Sequence, residues 1–213
     1  MKLDRIINSI FASNTYILQD EYSQNAYLVD VGDIEPILAL GLDIKGVFLT
    51  HGHFDHIYGI SSLVSHYPSC VIYTSKAGRE FLANEKLNLS WYHGTPVSFS
   101  SSQIQEVSEG TMISLFDGLQ MQVFETPGHN PSCVTFRIEN YLFTGDAFIP
   151  NTKLLTNLPN AVKQLAITNR QKIINELINE LTTICAGHGD IVYPNEFQSL
   201  SKNLLLKNKT TKE

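Results

Sequence analysis

Cysteine is scarce in this chain. Cys70, Cys133 and Cys185 are odd in number and far apart, so the reading is a reducing, cytoplasmic setting without a disulfide framework. Basic residues are also few: 15 Lys and Arg stand against 21 Asp and Glu, a formal net charge of −6. Nucleic acids and anionic membranes call for a concentrated basic patch, and the one basic cluster falls in a short tail, 200–213, expected to fray. No nucleic-acid partner and no membrane partner is expected. Long apolar runs are missing too. No window approaches the ~20 consecutive apolar residues of a membrane span, and the N-terminal MKLDRIINSIFASN lacks the apolar stretch of a signal peptide. What remains is 213 residues, 43% hydrophobic and 17% charged. That suits one domain burying roughly 70% of its unfolded surface.

Periodicity divides the chain into alternating strands and helices. Runs at 6–18 and 26–31 read as a hairpin, and Asp33 is placed to cap a helix over 34–42 that Gly41 ends. A buried strand over 45–50 follows, then a helix over 56–66 stopped by Pro68. A strand at 71–74 and a helix at 76–85 lead into a long loop, 87–102, which holds the only tryptophan. Runs at 104–107, 112–115, 119–125, 134–138 and 141–143 form an antiparallel meander. After an irregular stretch, 148–159, helix covers 162–181 and a last strand covers 183–186. The expected class is α/β, with mixed sheets covered by helices.

Four of these strands end in the same way, in a tight turn that pairs glycine with a possible metal ligand. The turns hold His51-Gly-His53-Phe-Asp55-His56, Pro127-Gly128-His129, Gly145-Asp146 and Gly187-His188. Chemistry in open α/β sheets concentrates just past the carboxyl ends of strands, and glycine lets the backbone bend closely around a bound group. His51, His53, Asp55, His56, His129, Asp146 and His188 are too many donors for one tetrahedral ion. They suit two ions about 3.5–4 Å apart with one carboxylate shared. No cysteine lies in these turns, which excludes a closed cysteine-rich zinc site. No G-x-S-x-G elbow offers a serine nucleophile either.

THGHFDH at 50–56, TPGHNPS at 126–132, TGD at 144–146 and AGHGD at 186–190, in this order, resemble the metallo-β-lactamase superfamily, and most nearly its small glyoxalase II-like hydrolases. The resemblance implies a four-layer αββα sandwich: two mixed β-sheets face to face, flanked by helices, with metals at one edge. It assigns His51, His53 and His129 to a first divalent ion, Asp55, His56 and His188 to a second, and Asp146 to a bridge between them. Zinc is the expected metal, with iron or manganese as variants. The implied reaction is attack by a metal-bridging hydroxide on the ester, thioester or lactone carbonyl of a small acyl substrate, with Asp55 and Asp146 as catalytic carboxylates. A mononuclear iron persulfide dioxygenase of the same fold is the alternative. About 25 residues follow His188, too few for the added glutathione-holding region of glyoxalase II proper. Among side residues, Trp91, Tyr92 and His93 are candidates to roof the site, and Lys153 to meet an anionic substrate. His66 is read as helix surface, and Cys133 as a buried apolar residue.

Overall fold

The strands carry two apolar faces, because successive side chains point to opposite sides of a sheet. The computed structural model describes residues 1–116 and 118–197; the expected basic tail at 200–213 lies outside the described residues. The first sheet has the order β1 (Lys2–Ile7), β2 (Asn14–Gln19), β3 (Asn25–Val29), β4 (Asp43–Phe48), β5 (Val71–Thr74), β6 (Ile104–Glu106). β1, β2 and β3 pair antiparallel, and β3 through β6 pair parallel. The second sheet runs β7 (Met112–Ser114), β8 (Gln120–Glu125), β9 (Val134–Ile138) and β10 (Tyr141–Gly145) as an antiparallel meander, with β11 (Thr183–Ala186) parallel to β10.

Both sheets are therefore mixed, and the alternation along each strand decides which layer a residue enters. Tyr16, Leu18, Phe48, Tyr73, Val123, Phe136 and Phe143 point between the sheets. Phe48 stacks on Tyr73 at 4.7 Å and tilts against Phe136 at 5.3 Å, tying the two sheets together. The neighbouring Ile17, Val47 and Ile72 face the other way. They pack with Ile37 of α1 (Glu35–Leu38), Ile60 and Leu63 of α2 (Ile60–His66) and Leu82 of α3 (Lys76–Leu82). On the opposite outer face, Leu142 and Ile184 meet Ile173 and Leu177, which continue α4 (Lys163–Lys172) in a wider helical turn. The result is the expected αββα sandwich. Among the described residues, no helix is long and apolar enough to cross a membrane.

Several local expectations need correction. The run at 6–18 is two strands, broken where Asn8 Nδ2 donates to Ser13 Oγ and Thr15 Oγ1, both at 3.1 Å, closing a turn. Phe11 and Ala12 in that turn both take φ of +53°. Asp33 caps no helix. Its carboxylate accepts from Ser9 N, Ser9 Oγ and Tyr58 Oη at 2.6 to 2.7 Å, and α1 has four residues. The run at 104–107 leaves the meander and pairs parallel with β5. The helix expected over 56–66 begins at Ile60, because 54–56 form a separate tight turn that carries metal-ligand candidates. His66 is exposed, bonded to its own helix through the Ser62 carbonyl, and Cys133 is buried, both as expected.

A candidate two-part metal centre

All four strand-end turns open on the same edge of the sandwich, and all seven expected side chains meet there. β4 leads through Leu49 and Thr50 into the turn that runs from His51 to His56. β8 delivers His129, β10 delivers Asp146 and β11 delivers His188. Ligand atoms within 4.8 Å of one another form three overlapping groups: His51 with His53 and His129, His51 with His56 and Asp146, and Asp55 with His56 and His188. Asp146 lies between. Its Oδ2 is 3.6 Å from His129 Nε2 and 3.5 Å from His188 Nε2, and its Oδ1 is 3.6 Å from His56 Nε2.

Hydrogen bonds on the outer nitrogens fix how these rings present themselves. His129 Nδ1 faces the Leu155 carbonyl at 2.8 Å, and His188 Nδ1 faces the Phe11 carbonyl at 3.1 Å. A carbonyl only accepts, so each Nδ1 carries a hydrogen and each ring turns its Nε2 inward. His56 Nδ1 faces Asp30 Oδ2 at 2.9 Å, which directs its lone pair the same way. His56 Nε2 and His188 Nε2 then stand 3.3 Å apart. Two lone pairs at that distance repel, and a proton or a metal cation between them removes the repulsion.

Electrostatics divides the cluster. Burial, reinforced by the neighbouring histidines, pushes His51 well below the usual imidazole range and His53 to about 3. Burial also opposes charge on His56, but Asp55 and Asp30 outweigh it and hold its pKa well above the usual value. The same contest raises His188, through Asp55 and Asp146. Burial disfavours the Asp55 carboxylate, yet His56 and His188 hold its pKa far below the carboxylate range. His51 Nε2, His53 Nε2 and Asp146 Oδ1 are buried with no hydrogen-bond partner. Orphaned buried polar atoms are rare and costly, and three of them in one cluster fit a bound cation. The donors are nitrogen and oxygen, which suits zinc, iron or manganese.

Glycine is required where the turns touch. A Cβ on Gly187 would stand 2.2 Å from Asp146 Oδ1 and 2.8 Å from His56 Cε1, inside the cluster itself. A Cβ on Gly128 would meet the Ala166 backbone of α4 at 2.3 Å.

The reading of the sequence missed the supports around the ligands. Asp30, 2% exposed at the end of β3, accepts from Thr50 N at 2.7 Å and Thr50 Oγ1 at 2.8 Å as well as facing His56. It ends an apolar run as the ligand turns do, which was the available signal, but no histidine or glycine marks it. Ser132 Oγ accepts from Gly52 N at 2.8 Å and ties the TPGHNPS turn to the first motif. Of the other candidates, Trp91 and Tyr92 are 51% and 68% exposed, so they do not close over the cluster. His93 stacks on Phe54 at 5.5 Å and meets the Phe11 ring edge at 5.1 Å, beside the His188 end. Lys153 is exposed.

An αββα sandwich with a histidine and aspartate cluster at one edge defines a metal-site class, and the comparisons name it. Residues 10–194 match the profile of the Metallo-beta-lactamase superfamily. The chain belongs to that superfamily. It is similar to a hydroxyacylglutathione hydrolase of Psychromonas ingrahamii, at 32% identity over 62% of this chain and 45% of that protein. The alignment thus spans under half the length of that relative. It is also similar, at 26% identity over 89% of this chain and 91% of the relative, to the hydroxyacylglutathione hydrolase GloC of Haemophilus influenzae. The crystal structure of the B3 metallo-β-lactamase BLEG-1 shares the fold, with a TM-score of 0.82 and 24% identity over 93% of this chain and 97% of that one.

Proposed function

We propose that the cluster holds two divalent ions, zinc in the first instance, and that the chain hydrolyses an ester, thioester or lactone bond of a small acyl substrate. The observation that carries the metal reading is the set of orphaned atoms His51 Nε2, His53 Nε2 and Asp146 Oδ1, beside His56 Nε2 and His188 Nε2 only 3.3 Å apart. Membership of the superfamily and relatives named as hydrolases of hydroxyacylglutathione support the reaction type. His51, His53 and His129 would hold the first ion, and Asp55, His56 and His188 the second. Asp146, whose oxygens face both groups, would touch each. When bound, such ions supply a water acidified toward about pKa 7 and a positive contact for a carbonyl oxygen.

The chain's own residues do the positioning. Asp30, Leu155 and Phe11 hold His56, His129 and His188 in single ring orientations, as outer partners of metal ligands do. Asp55 stays ionised between His56 and His188, so it contributes fixed negative charge and does not store a proton. No serine or cysteine nucleophile is called for, since the three cysteines are buried thiols held above their usual range by that burial.

Metal analysis of the protein purified without added metal, followed by a hydrolysis screen over thioesters, lactones, β-lactams and phosphodiesters, tests the proposal. About two ions per chain and turnover of an acyl substrate are expected. One iron per chain with oxygen uptake on a persulfide would replace this reading with the dioxygenase.

A further inference from the structure

A cleft of about 410 Å³ opens beside His188, between residues 149–155 and the turn after β11. Ile149, Pro150, Leu155 and Val192 form apolar walls, and the Asp190 carboxylate, 91% exposed, stands at the lip. The walls are fixed to the metal cluster, because the Leu155 carbonyl accepts from His129 Nδ1 at 2.8 Å. Among the described residues, no lysine or arginine lines this cleft. The two arginines at its borders are committed to the protein. Arg170 Nη1 donates to the Thr152 carbonyl at 2.9 Å with its guanidinium 5.2 Å over the Phe148 ring. Arg5 donates to the Gly189 carbonyl at 2.6 Å and to Asp190 at 3.0 Å.

We propose that this cleft receives the group attached to the scissile carbonyl and selects an uncharged, apolar group over an anionic one such as a glutathione moiety. The inference rests on the hydrolase reading for the event at the carbonyl, and on the cleft alone for the preference. Apolar walls gain free energy by removing apolar surface from water. A carboxylate pressed against them loses hydration and finds only neutral donors, the Asn151 amide and the Thr152 hydroxyl, beside the Asp190 carboxylate that Arg5 already pairs. Divalent ions would attract the anionic ligand more than the neutral one, so a preference for the neutral ligand would be set by the cleft against that attraction.

Two thioethers without a scissile bond separate binding from turnover: S-hexylglutathione, net −1, and the neutral S-hexyl-N-acetylcysteamine. Calorimetric titration of the metal-loaded protein is expected to find the neutral ligand at least about tenfold tighter, a difference of about 1.4 kcal/mol. Asp190→Asn keeps the turn, since Arg5 still reaches the Gly189 carbonyl. It is expected to narrow the gap about threefold by improving the glutathione ligand, and the narrowing should shrink as salt is raised. Equal affinities, or tighter binding of S-hexylglutathione, would overturn the inference. Hydrolysis of the corresponding thioesters is measured alongside. A preserved binding preference with neither thioester cleaved upholds the cleft's selectivity while removing thioesters from the hydrolase reading.

Discussion

The two halves of the candidate metal centre differ in how they hold charge. His51, His53 and His129 are all nearly fully buried and all imidazole, and burial keeps His51 and His53 neutral. Asp55, His56 and His188 form a salt-bridged group in which His188 remains 23% exposed. In the first group His51 and His53 stay neutral, each with an unpartnered Nε2 lone pair. The ionic trio already holds protons where a cation would go, with His56 and His188 raised and Asp55 lowered. Ligands must be deprotonated to bind metal. His51 and His53 thus have no added proton to give up at ordinary pH, whereas the second half has to exchange protons for metal.

Asp146 joins the halves, so its loss is the largest way to break the comparison. Asp146→Ala is expected to weaken metal binding about 100-fold at both halves and to abolish hydrolysis. Calorimetric metal titration of the apo-variant reads it. Two ions bound as tightly as by the parent would show that Asp146 is no shared ligand. Next come single-half changes. His188→Ala should weaken one of the two binding events by roughly 10–100-fold and spare the other, and His53→Ala should do the converse. If each variant lost both events equally, the halves would be one unit.

Asp30→Asn acts one step further out, since it removes the charge that faces His56 Nδ1. It should weaken the second half about 10-fold, with the first half nearly unchanged. The smallest effect is in pH. Because His56 and His188 are raised above the usual imidazole value, protons compete at the second half at higher pH than at the first. His51 and His53 are lowered and stay unprotonated. Metal release followed by a chromogenic chelator should therefore come in two steps, the first, at the higher pH, releasing about one ion per chain. A single step releasing both ions would erase the electrostatic distinction.

Much of the site was legible because its signal is local and dense. Four turns each put glycine beside a ligand at a strand end, and short β-forming runs mark the strands themselves, as at β5, β9 and β11, which match their expected bounds. The errors fell where side chains capture backbone groups at a distance. Asn8 splits one apparent strand by bonding Ser13 and Thr15, and Asp33 abandons a cap for Ser9 and Tyr58. β6 leaves the meander because β5 offers it a parallel edge, which its own three residues do not record.

Sequence alone determined the layered class, the seven ligand candidates and the order of the turns, because alternation and clustered histidines are properties of neighbours along the chain. Tertiary structure decided which ring nitrogens face inward, through carbonyls as remote as Phe11 and Leu155, and it brought Asp30 beneath His56 from a different strand. It also decided the split between a neutral half and an ionic half. Burial and pair distances set that split, and both come into being only when the four strand ends meet at one edge.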